Sequence, residues 1–181
     1  MRWFWLGLYY GFAQFLPASY RPIVGRPARA LRGFLARRLF ARAGKNITVG
    51  ARVDFGDGSS ISLGDCSGIG MRSRVEAAVI DDGVIIGPQL LALARNHIFE
   101  DPDVWIGHQG VTEPQPVHIG EGSWIGARVT ILPGVDIGRM CVVGVGSVVT
   151  HDVEDFSVVA GNPARLIHRW GPAAEEGQSP A

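Results

Sequence analysis

From Val117 to Asp152 the apolar positions recur every six residues. Written in sixes, the segment reads VHIGEG, SWIGAR, VTILPG, VDIGRM, CVVGVG and SVVTHD. The third position is Ile119, Ile125, Ile131, Ile137, Val143 and Val149, without a break. The first position is Val117, Ser123, Val129, Val135, Cys141 and Ser147, all aliphatic or small. Upstream the same frame recurs in ITVGAR from Ile47, ISLGDC from Ile61 and SGIGMR from Ser67, and it returns at Val84, Ile85, Ile86 and Gly87. A period of six is neither the 3.6 of a helix nor the plain alternation of a strand. It predicts a solenoid of short parallel strands, in which each hexad supplies one flat strand and one tight turn. The third position is expected to point inward and stack on its equivalent one coil away. The fourth, glycine at 120, 126, 138 and 144, is expected at the corner, where backbone angles are unusual and space is short. Three hexads make a triangular coil of about 18 residues, with neighbouring coils about 4.8 Å apart. Cys141 falls in an inward slot and reads as a small buried hydrophobe.

The period fails between Gly87 and Val117. The insertion, 88–116, reads PQLLALARNHIFEDPDVWIGHQGVTEPQP and carries His97, His108, Glu100, Asp101 and Asp103. A coil needs no such loop, whereas a site does.

Ahead of the repeat, residues 1–45 form a different kind of segment. They hold nine of the chain's 17 basic residues and no acid, so the zero net charge divides into +9 there and −9 beyond. Eight of the 16 aromatic residues lie in the first twenty positions. The uncharged run 3–16 is shorter than the ~20 residues that span a bilayer. Its Trp and Tyr content, and the lack of a small-x-small cleavage site before Arg21, weigh against a secretory signal. Two readings stand. One is an interfacial anchor drawn to anionic lipid, which places the protein in the cytoplasm and peripherally on the inner face of the cytoplasmic membrane. The other is packing on the protein's own core or on a neighbouring subunit. Leu31, Leu35 and Leu39 fit one helix face, with Arg38 and Arg42 intruding on it.

Composition narrows the class. The chain has 181 residues, 46% apolar and 19% charged, with 25 glycines and 11 prolines, which excludes a disordered chain and suits a turn-rich globular one. Two cysteines, Cys66 and Cys141, exclude a disulfide scaffold and a cysteine-based zinc site. The low apolar content of 171–181 reads as a disordered tail. The basic stretch is interleaved with apolar residues and carries no nucleic-acid motif, so no nucleic-acid partner is expected.

Over 47–167 the chain resembles the hexapeptide-repeat acyltransferases. IGEGSWIGARVTILPGVDIG, VVGVGSVVTHDV and VVAGNPARLI are similar to the sugar O-acetyltransferase branch that includes maltose and galactoside acetyltransferases. LYYGFAQFLPASY and GKNITVGARVDFGDGSSISLGDCSGIG resemble acetyltransferases of capsular and extracellular polysaccharides. The resemblance implies an all-β fold, a left-handed parallel β-helix over 46–170. The general crossover rule alone favours the right hand. It also implies transfer of an acetyl group from acetyl-CoA to a sugar or lipid-linked sugar hydroxyl, with no metal. A homotrimer with sites between subunits is implied as well.

By position in the family pattern His97 is the expected general base, since imidazole can take a hydroxyl proton near neutral pH and return it to a departing thiolate. Glu100 is a candidate orienter of its ring, a role that a backbone carbonyl fills equally well. His108 and His118 read as structural or exposed. The resemblance places Trp124 along the pantetheine arm, Ala127 with its backbone towards it, Val145 and Thr150 at contact positions further on, and Arg165 near the nucleotide phosphates. Relatives often have lysine where His151 stands. Where the maltose and galactoside enzymes hold the acceptor with asparagines, this chain has Gly70 and Arg72. Asn96 and Arg72 are the acceptor-side candidates, and Arg72 or Arg74 suits an anionic sugar or a lipid-linked diphosphate. Two other classes compete. A zinc lyase of the γ-carbonic-anhydrase kind usually needs two histidines five apart, and no two of His97, His108, His118, His151 and His168 are. A non-enzymatic scaffold has no use for a histidine-bearing break in its repeat.

Overall fold

A computed structural model of the chain describes residues 1–18 and 21–172. The tail expected at 171–181 lies outside the described residues from 173 onward. The repeat region winds into a left-handed parallel β-helix. Its first face stacks Arg42–Ala43, Ile61–Leu63, Ala78–Ile80, Val117–Ile119 and Asp136–Ile137. The second stacks Thr48–Val49, Gly68–Ile69, Ile85–Ile86, Trp124–Ile125, Val142–Val143 and Ser157–Gly161. The third stacks Arg74–Val75, Leu91–Ala92, Thr130–Ile131 and Val148–Val149. The third-position residues Ile119, Ile125, Ile131, Ile137, Val143 and Val149 are all buried, and each stacks in register on its neighbour one coil away. Cys141 is buried and free, as expected of an inward slot.

Serines in the first position of the hexad bring hydroxyls into this core. Each satisfies them by stapling coils. Ser123 Oγ donates to Gly138 O at 2.8 Å and accepts from Cys141 N at 2.9 Å. Ser67 does the same with Asp81 O and Val84 N. No buried side-chain polar atom among the described residues lacks a partner, as a tightly packed core requires.

The corner separates two demands that the sequence pattern merges. Glycine at the fourth position answers only the shortage of space: a Cβ on Gly126 would sit 2.8 Å from Val143 O and Val145 N of the next coil. The left-handed backbone falls instead at the sixth position, at Gly122, Arg128, Gly134, Met140 and Gly146.

Both ends of the prism are closed. At the C-terminal end, Ala164–Arg169 turns back antiparallel on Ser157–Gly161. The resemblance runs to 167, but the last strand is a hairpin arm and not a further coil. At the N-terminal end, helix α1 (Arg2–Gly11) and helix α2 (Gly25–Leu39) lie across the first coil. Pro27 is tolerated because it sits in the first turn of α2, and Arg37 and Arg38 in the last turn complement the helix dipole. Leu35 and Leu39 are buried with Tyr9 and Ala13 in the common core, and Leu31 packs against it. Arg42 belongs to a strand, so it does not intrude on the helix face. Arg32, also buried, donates from Nε to Val49 O at 2.9 Å. Tyr9 Oη donates to Val53 O at 3.0 Å. Thus one side of the N-terminal segment packs on the protein's own core.

Candidate active site

The insertion interrupts one coil and leaves the register intact. Trp124 pairs with Val142, 18 residues on, and with Ile85, 39 residues back. The excess of 21 residues leaves the prism after Leu91–Ala92 and rejoins it at Val117–Ile119. The excess is therefore 96–116 and does not begin at 88, because Pro88 to Ala92 complete a regular turn and strand and Leu93 N still donates to Ile131 O of the next coil at 3.1 Å. It projects from the corner between the third and first faces.

The excursion is an antiparallel arm. His97 bridges Val111, Ile98 N donates to Gly110 O at 3.1 Å, and Thr112 N donates to Asn96 O at 2.9 Å. Asn96 N in turn donates to Thr112 Oγ1 at 3.1 Å. At the base, Gln115 N donates to Ala94 O at 2.8 Å. Ala94 N donates to Glu76 Oε2 at 3.1 Å, and Glu76 also pairs with Arg74. At the tip, Gln109 Nε2 donates to Asp101 O and Val104 O, while Gln109 Oε1 accepts from Asp101 N. A short helix, α3 (Ile106–Gln109), carries His108, whose ring lies 5.6 Å from that of Trp105. Glu76, Thr112 and Gln109 escape sequence reasoning, because no periodicity marks a side chain that serves one backbone amide.

The arm fixes the His97 backbone and leaves its imidazole exposed, with no hydrogen-bond partner among the described residues. Glu100, also exposed, makes no hydrogen bond to it. The chain on its own therefore does not pair these two residues. Asn96 is spent partly on the arm's backbone and keeps its side chain exposed.

Of the residues expected along the pantetheine, Trp124, Ala127 and Val145 form a second group. Trp124 is 53% exposed in the middle of the second face, flanked in register by Ile85 and Val142. Ala127 and Val145 occupy the same corner of successive coils, tied by the bond from Gly146 N to Ala127 O at 2.8 Å. Neither the Ala127 nor the Val145 N–H donates a hydrogen bond among the described residues. Thr150 lies one corner further round, with Oγ1 2.8 Å from His151 Nδ1. Arg165 is on the outer strand of the terminal hairpin, exposed, with no acidic partner among the described residues. Arg72 stands at the corner between the second and third faces, two coils before Arg128, and makes no ion pair among the described residues. Arg74, by contrast, is engaged by Glu76 at 3.1 Å.

In a triangular prism, the corner between the third and first faces is opposite the second face. His97 and Trp124 therefore stand on opposite sides of one chain. The arm also leaves Phe99, Val104, Trp105, Ile106 and Val111 exposed to solvent. Among the described residues no three His, Cys, Asp or Glu side chains are grouped to hold a metal ion, and no helix is long and apolar enough to cross a membrane.

Comparison with known proteins places these features in one family. A model of the hexapeptide repeat of succinyl-transferase matches residues 116–151. The galactoside O-acetyltransferase of Escherichia coli K12 is 33% identical over 136 residues, 74% of this chain and 66% of that protein. A maltose O-acetyltransferase from Clostridium difficile superposes with a TM-score of 0.75 at 28% identity, covering 94% of this chain and 87% of that one. A galactoside acetyltransferase in complex with coenzyme A gives 0.74 at 29% identity, covering 93% and 80%. The aligned segments take in 31% to 66% of the curated relatives' own length. With the repeat it shares with these proteins, the chain belongs to the hexapeptide-repeat acyltransferase family.

Proposed function

We propose that this protein is an acetyl-CoA-dependent O-acetyltransferase that acts on a sugar hydroxyl in polysaccharide biosynthesis, with His97 as general base. The observation that carries the reading is the arm: an insertion in an otherwise regular coil, braced by its own hydrogen bonds, whose paired strands hold the exposed His97. The CoA-bound relative supports acetyl-CoA as donor. A ring nitrogen of His97 takes the proton of the acceptor hydroxyl as its oxygen attacks the thioester carbonyl. The carbon–sulfur bond then breaks, and the proton passes to the departing thiolate, giving the acetyl ester and free CoA. No covalent enzyme intermediate is required.

The site is built between two subunits of a homotrimer. Within one chain the base and the Trp124 face point away from each other, and a neighbour bound against the second face supplies the missing arm. The exposed apolar residues of the arm fit such a contact. Ala127 and Val145 then offer N–H groups to the pantetheine, and Arg165 lies ready for phosphate. Arg72, free of acidic partners, and Asn96 face the acceptor.

His97→Ala tests the assignment. Released thiol, followed with a chromogenic disulfide, is expected to fall by ~10²–10⁴-fold. Acetyl-CoA affinity and thermal midpoint should not change, because the ring supports neither. Activity near that of the parent would remove His97 from the mechanism.

A further inference from the structure

We infer that the helical cap at the N-terminal end of the prism is a docking surface for an anionic lipid bilayer. The inner side of this cap is committed to the protein: Tyr9, Ala13, Leu35, Ala36 and Leu39 are all buried. Its outer side is not. Trp3 is 84% exposed, Phe4 66% and Phe15 62%. Phe12, Ile23, Val24 and Phe34 are exposed as well.

Part of this outer side is continuous across the two helices. Phe4 packs on Trp5 with ring centroids 5.1 Å apart, and Trp5 on Phe34 at 6.0 Å. The Arg38 guanidinium lies over both Trp5 and Phe34, at 5.4 and 5.0 Å. Arg26, Arg29, Arg37 and Arg38 stand beside Phe34, and Arg21 stands beside Phe15 and Val24. All five are exposed, and none forms a salt bridge among the described residues. Arg2 is the exception in the segment, held at Asp57. No acidic residue occurs in 1–45, so the segment contains nothing to neutralise them.

The combination selects the occupant. Tryptophan and phenylalanine beside unneutralised arginines, on helices lying flat across one end of a rigid body, suit the headgroup layer: rings enter the boundary while guanidinium groups meet lipid phosphate. Such a cap holds the protein on a membrane without spanning it. The catalytic arm leaves after the second strand of the third face, Leu91–Ala92. At the usual strand spacing, that is on the order of 10 Å above the first coil, within reach of a sugar carried on lipid. The docking surface itself is independent of the catalytic reading, and its test uses no acyl donor.

The full chain is mixed at low salt with vesicles of phosphatidylglycerol and phosphatidylcholine in equal parts, or of phosphatidylcholine alone. Sedimentation with the anionic vesicles is expected, with a blue shift of tryptophan emission and release as salt rises. Two paired variants, Trp3→Ser with Phe4→Ser and Arg26→Glu with Arg37→Glu, should each lower bound protein at least about tenfold. They change only exposed side chains, and an unchanged circular dichroism spectrum and thermal midpoint would verify the fold. Failure to sediment with anionic vesicles overturns the proposal. So does equal binding to both vesicle types, or parent-like binding by the variants. If the parent ignores vesicles and the variants lose mass in light scattering, the cap is a contact between copies of this chain and the membrane reading falls.

Discussion

His118, which the sequence places only as structural or exposed, ties three consecutive coils together. On the first face it stands between Asp136, 2.7 Å from Nδ1, and Asp81, 3.0 Å from Nε2. Burial works against its charged form, but the hydrogen bonds to Asp136 and Asp81 outweigh it, and the pKa rises above the usual 6.5. A group whose pKa is higher in the folded state stabilises by holding its proton. Its contribution is thus complete below about pH 6.5 and is lost as pH rises through the folded value. The ring is 38% exposed, so solvent screening limits the effect to about 1 kcal/mol or less, a few degrees in midpoint at this chain length. Thermal melts of the parent and His118→Gln should differ most at the acid end of a series from about pH 6 to 9 and converge at the alkaline end. A constant difference across the series would show that the two aspartates do not hold the ring as a cation.

The hexad is legible because each strand must deliver one inward residue to a core only one side chain deep. Ile119, Ile125 and Ile131 can therefore be read from their spacing alone, and so can the inward place of Cys141. The corner is less legible. Glycine at the fourth position and the left-handed backbone at the sixth are separate requirements, and Arg128 and Met140 meet the second without glycine. This separation predicts unequal costs. Gly126→Ala puts a methyl 2.8 Å from backbone atoms of the next coil, which forces coils apart and should cost about 1–3 kcal/mol. Gly146→Ala meets nothing within 4 Å at a φ of +73, so only the local backbone penalty of about 1 kcal/mol remains. Equal drops in thermal midpoint would refute the separation. The arm is legible only as a break in the repeat. Its pairing of Asn96, His97 and Ile98 with Gly110, Val111 and Thr112 has no alternation to announce it, and its braces are polar side chains used once. The N-terminal segment offered two readings because its helices have two sides, and the structure gives the inner side to the core.

A triangular prism cannot bring its own corner round to the opposite face, and this makes the proposed site a property of the assembly. If each site takes His97 from one subunit and Trp124 from the next, two defective variants should repair one another. In a homotrimer of His97→Ala alone, every site lacks the base. In one of Trp124→Ala alone, every site lacks the indole wall and binds acetyl-CoA weakly. When both are co-expressed and assort at random, a site is intact whenever its arm comes from a Trp124→Ala chain and its face from a His97→Ala chain. That holds for about a quarter of sites in a closed cyclic trimer. Co-purified mixed trimers, selected through two different affinity tags, each hold one intact site of three and should thus recover on the order of a third of parental turnover, while a mixture of separately assembled variants stays inactive. No recovery in mixed trimers would mean that both residues serve within one chain, and the inter-subunit site would have to be abandoned. The same symmetry carries a consequence for the cap. Cyclic packing of parallel prisms sets all three N-terminal ends on one side, so three aromatic and basic surfaces would meet a bilayer together, and their binding would exceed that of one chain by multivalency.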